Sequence, residues 1–91
     1  MAIVAAWQKI DEESVVLALH EAEEKLESAE GEVVLDFSSV RRVDPSAIRA
    51  MEEFANAADD KGVKVVLRGV NVDVYKVLKL VKLASRFSFV A

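Results

Sequence analysis

The sequence contains no cysteine, one proline, one histidine and three glycines among 91 residues. Without cysteine, a disulfide scaffold, a thiolate zinc site and a cysteine nucleophile are excluded, and the composition fits a reducing, cytoplasmic setting. A single histidine excludes a multi-histidine metal site. Gly31, Gly62 and Gly69 stand far apart, so they make no glycine-rich phosphate loop. No uncharged apolar run approaches the roughly 20 residues that a membrane span needs. No signal peptide is read at the start, so no direct membrane insertion is expected. The net charge is −4, with acids and bases mixed. That argues against a nucleic-acid surface, which needs a basic stripe.

What is present is mostly apolar. The 53% hydrophobic content is enough for one small core, and residues 1–91 read as a single domain without linker or repeat. Residues 2–7, AIVAAW, read as a buried strand. DEES follows with Asp11 and Ser14, residue types suited to a helix start. Val15, Leu19, Ala22 and Leu26 then recur at four, three and four, one stripe of a helix that is expected to end at Gly31. EVVLDF is short, continuous and β-branched, as in a central strand covered on both faces. Val34 and Leu35 are therefore expected to be buried. A second helix runs from Pro45 to Lys61 on a stripe of Ile48, Met51, Ala55 and Ala58, widened by Ala47 and Phe54. VKVVLRGV reads as another strand. A third helix follows, capped by Asn71 or Asp73, with Val74, Val77, Leu78 and Val81 inward. RFSFV closes the chain as a short strand. The β-α-β-α-β-α-β order predicts right-handed crossovers. The fold class is α/β: a mixed sheet of about four strands, with helices mainly on one face because the stripes are one-sided.

Few residues carry candidate chemistry. His20 lies mid-helix among acids and reads as a solvated surface residue. Asp36 ends a strand and Asp44 opens a helix, so both belong to the carboxyl edge of the sheet, where partners of such folds gather. A carboxylate pair there suits Mg²⁺. The plainer reading makes Asp44 a helix cap and Asp36 a loop-ordering residue. With Asp44 at the N-cap, Pro45 takes the first helical position and Ser46 the second. A phosphate on Ser46 would meet unpaired amides and a favourable dipole, and would be opposed by Asp44. The plain alternative is an unmodified first-turn serine.

The run VVLDFSSVRRVDPSAIRAM resembles the central signature of the STAS domain family, shared by anti-sigma factor antagonists and the cytoplasmic tails of sulphate transporters. Leu35, Asp36, Ser38, Val40, Val43, Asp44 and Ser46 match its pattern. ADDKGVKVVLRGV and VYKVLKLVKLASRFSFV resemble its later helix, strand and closing segments, and WQKID falls where the family has Gly-Glu-Leu-Asp. Two departures stand out. Pro45 occupies the position of the usual phosphate acceptor, leaving Ser46 as the phosphorylation candidate. The N-terminal strand of the family is missing or shortened.

The resemblance implies a bacterial, cytoplasmic, non-catalytic protein-interaction domain of transcription regulation, without cofactor or metal. Its partner would be an anti-sigma factor or serine kinase-like regulatory protein, bound through Asp36, Ser38, Arg41, Arg42, Asp44, Ser46 and Arg49. The phosphorylation switch would be weakened by Pro45. Three alternatives stand beside this reading: a STAS subunit of a transport system, a small enzyme using Asp36 and Asp44, and an idealised scaffold without a partner. The oligomeric state is not legible.

Overall fold

The computed structural model describes residues 6–27 and 31–90. Strands β1 (Ala6–Lys9), β2 (Glu32–Asp36), β3 (Lys64–Arg68) and β4 (Ser88–Val90) form one sheet in the order β1-β2-β3-β4. All three pairings are parallel, with Trp7 opposite Val34, Val34 opposite Val66 and Val66 opposite Ser88. The sequence predicts a mixed sheet; among the described residues every pairing is parallel. The reason is that no two consecutive strands here are joined by a hairpin. Each pair is bridged by a helix: α1 (Val15–Lys25), α2 (Pro45–Asp60) and α3 (Val72–Leu80).

Because the strands add in one direction, right-handed crossovers put all three helices on the same face. Val33, Leu35, Val65 and Leu67 point towards that face and are buried. They pack with the α1 residues Val15, Leu19 and Ala22, the α2 residues Met51, Phe54 and Ala58, and Val74 and Leu78 of α3. No polar or charged residue is buried among the described residues.

Several sequence expectations shift. Strand β1 begins at Ala6 and extends to Lys9, and its Trp7 is 48% exposed; residues 2–5 of the expected strand lie outside the described residues. Leu35 is buried, but Val34 is only half-buried. It lies on the face that carries no helix, so β2 is not covered on both sides as its apolar run implies. Helix α1 ends at Lys25 rather than at Gly31. Val77 is half-buried and Val81 is 43% exposed, because α3 ends at Leu80 and Val81 is already its C-cap.

Both later helices end in a Schellman arrangement. After α2, Val63 N donates to Ala58 O and Gly62 N to Asp59 O. After α3, Leu83 N donates to Leu78 O and Lys82 N to Lys79 O, with Lys82 in the left-handed region at φ 63.

Leu35→Ala should cost about 2–5 kcal/mol, since it opens a cavity under α1 and α2. Val34→Ala, on the uncovered face, should cost clearly less. Urea denaturation of the two variants side by side checks this; equal losses would contradict the one-sided core.

Candidate partner-binding site at the start of α2

Helices that follow parallel strands all begin at the carboxyl edge of the sheet. There the ladder continues past the strands: Ile10 N donates to Asp36 O at 2.9 Å and Phe37 N to Arg68 O at 2.8 Å. The chain then turns away. Ser38 N donates to Asp36 Oδ1 at 2.9 Å and Val40 N to Phe37 O. Gly69 crosses so closely above this turn that a Cβ on it would lie 2.8 Å from Ser38 Cβ, and its φ of 72 is itself unfavourable for other residues.

The segment 41–44 has no regular secondary structure and is pinned from both sides. Arg41 N donates to Glu12 Oε1 at 3.0 Å. The Asn71 amide donates to the carbonyls of Val40 and Arg41, at 3.3 and 3.1 Å. Helix α2 then starts as its sequence predicts. Asp44 is extended (φ −90, ψ 174), and its Oδ1 accepts from Ala47 N at 2.8 Å. Pro45 and Ser46 occupy the first two helical positions. Asn71, not Asp73, caps α3, accepting from Val74 N at 2.7 Å.

Each candidate residue can now be placed. Ser38, Arg41, Arg42, Asp44, Ser46 and Arg49 are exposed, and Asp36 is half-buried. They do not form one cluster. Arg42 and Asp44 line an open groove of about 450 Å³ against Glu12, Glu13, Leu17 and His20 at the start of α1. Ser46 and Arg49 line its continuation between α1 and α2, beside Val16, His20 and Glu53. Arg41 lines a second groove towards Asp73, Val74 and Val77 of α3, and Arg42 borders this one as well as the first. Asp36 and Ser38 line none of these and belong to the turn behind them. Ser46 is thus an exposed residue lining the same groove as Arg49.

Two contributions escape the sequence reading. Glu12 fixes the Arg41 backbone from 29 residues away, and His20 forms the far wall of both grooves. Only the pairing of α1 with α2 reveals them. DEES is legible as a helix start, but not as a strut.

Asp36 is not a free carboxylate. The Ser38 hydroxyl and backbone N–H hold its carboxyl below the 3.8 of an ordinary aspartate; partial burial opposes this, and Arg68 and Lys9 beside it assist. Asp36 and Asp44 each spend an oxygen on a backbone amide. Among the described residues, no group of three or more His, Asp or Glu is placed to hold a metal ion.

The STAS domain model matches residues 3–90. The chain belongs to the STAS family. A crystal structure from Thermotoga maritima, described as a candidate anti-sigma factor antagonist, is 19% identical, with a TM-score of 0.74 over 97% of this chain and 81% of that one. A sulfate transporter family protein from Wolinella succinogenes is 18% identical, with a TM-score of 0.78 over 98% and 80%. No curated protein matches the sequence. At these identities the likeness establishes the STAS fold, a single small α/β domain. No helix among the described residues is long and apolar enough to cross a membrane.

Two outcomes follow from the local contacts. Asp44→Ala should cost about 0.5–2 kcal/mol by uncapping α2, read as a lower urea midpoint. Asp36, with its lowered folded pKa, stabilises the fold above 3.8, and that contribution is lost as pH falls through the folded value. Asp36→Asn should flatten the fall in melting temperature between about pH 5 and pH 2. An unchanged acid profile would contradict the Asp36–Ser38 contact.

Proposed function

We propose that this STAS domain is a non-catalytic docking module. It binds a regulatory protein, of the anti-sigma factor or serine kinase-like class, through residues 41–49. The observation that carries this reading is the set of three arginines around the α2 start. Arg41, Arg42 and Arg49 are exposed, and none belongs to the ion pairs formed among the described residues. They surround a helix start already satisfied by its own cap. Such a surface has free positive charge to steer an acidic partner, and a rigid frame to receive it. Asp36 and Ser38 support the frame from behind.

Pro45 has no hydroxyl at the family's acceptor position, so Ser46 is the remaining phosphorylation candidate. Its exposure gives a kinase access without local unfolding. Its neighbours argue against a strong switch: Asp44 repels a phosphate that Arg49 attracts. Binding is therefore largely constitutive. A second reading, a STAS subunit of a transport system, is favoured by the Wolinella neighbour described as a sulfate transporter family protein. Both readings place the domain in a cytoplasmic compartment.

Capture of partners on the intact domain, followed by mass spectrometry, separates the two: a kinase-like regulator supports the first, a transporter component the second. The same spectra report any phosphate on Ser46. Against the captured regulator, Ser46→Asp should weaken binding, and Ser46→Ala should stay within about threefold of the unmodified domain. Loss of binding in the alanine variant would make the hydroxyl itself a contact. Equal affinity for both variants would move the interface away from α2.

A further inference from the structure

The charge of this chain is divided. Residues 1–60 carry 5 basic and 15 acidic side chains, whereas residues 61–91 carry 7 basic and 1 acidic. The strand order turns this division into a spatial one, because α1 bridges β1 and β2 whereas α3 bridges β3 and β4. The acidic and basic helices therefore flank α2 on opposite sides. The two ion pairs formed among the described residues, Lys61–Glu27 and Arg86–Asp59, each join one part to the other at 2.6 Å. Among the described residues, Glu21, Glu24, Lys76 and Lys79 belong to neither of these pairs. On α1, Glu21 and Glu24 are exposed at four and seven residues beyond Leu17. On α3, Lys76 and Lys79 are exposed at four and one residues before Leu80.

Each charged face holds an exposed leucine at one end. Leu17 is 61% exposed and Leu80 is 81% exposed. Lys76, Lys79 and Leu80 border a shallow depression. Val72, 67% exposed, extends the same helical stripe, and Asp73 is the single acid within it. Each face sets a charge four residues from its leucine, Glu21 on one and Lys76 on the other, so the two are opposite in sign.

We infer that the α3 face of one molecule docks on the α1 face of a second copy of this chain, with Leu80 against Leu17, Lys76 against Glu21, and Lys79 and Glu24 adding to the opposite charge of the two faces. Charge complementarity selects this occupant, since the partner surface is carried by the molecule itself. The contact joins two different faces, so it is heterologous, and each added copy presents a fresh face of either kind. The assembly grows head to tail rather than closing as a two-fold dimer. The surface at residues 41–49 is not consumed by it. Exposed charge pairs are screened by salt, so the association belongs to low ionic strength.

Sedimentation velocity of the intact chain, at about 20 mM and about 500 mM salt, tests this. At low salt the average mass should rise past two copies with concentration; at high salt it should return to one. Lys76→Gln/Lys79→Gln/Leu80→Asn and Glu21→Gln/Glu24→Gln/Leu17→Asn replace only exposed side chains. Each should remain monomeric alone, with an unchanged circular dichroism spectrum. Mixed in equal amounts, they retain one intact face of each kind and should form a 1:1 pair that grows no further. A chain that stays monomeric at low salt overturns the inference. So does a closed dimer, a mixture that fails to pair, or growth indifferent to both triple variants. A monomer retained on phosphatidylserine vesicles through Lys76, Lys79 and Leu80 overturns it in favour of a lipid surface.

Discussion

Two parallel strands side by side cannot be joined by a tight turn; the chain must cross over, and it does so with one hand. Here that constraint acts three times in the same direction. It places three helices on one face and brings their starts to one edge of the sheet. It also leaves the row Trp7, Val34, Val66 and Ser88 on the face without helices. The candidate site depends on this arrangement. Arg42 and Asp44 meet Glu12 and His20 because α1 and α2 begin side by side, not because anything in their local sequence brings them together.

The α2 start combines a well-satisfied backbone with unsatisfied charge. Its cap, its proline and its neighbouring turn account for the acidic and conformationally special residues. Asp36 and Asp44 serve backbone amides, which is the work of a frame. What is left over is arginine. A surface of this kind suits recognition better than bond-making, where a carboxylate would have to be free to exchange protons with a substrate.

Periodicity was a good guide to what one helix or strand buries, and a poor one to what covers it from outside. The stripe Val15-Leu19-Ala22-Leu26 is buried in full, and in the α2 stripe of Ile48, Met51, Ala55 and Ala58, widened by Ala47 and Phe54, all but the half-buried Ile48 are buried, because helical spacing is a local property. Asp44 was legible as a cap for the same reason: residue type and the following proline decide it within four residues. Val34 was misread because an apolar run does not say whether a second layer exists, which depends on the direction of strand addition. Val81 was misread because the helix ended one residue sooner than its apolar spacing. Glu12 and Asn71 were invisible as supports of the 41–44 segment, since each acts across about 30 residues of chain.

The side-chain carbonyl oxygen of Asn71 accepts from Val74 N, and its amide nitrogen donates to the carbonyls of Val40 and Arg41. One planar group thus clamps the first turn of α3 to the segment that carries the arginines. The two ends of that group cannot move separately. A partner that draws Arg41 outwards must either break the amide's grip or rotate the side chain and release the α3 cap. The 41–44 segment and the third helix are therefore geared together, and strain applied at one is transmitted to the other without any change in the sheet between them.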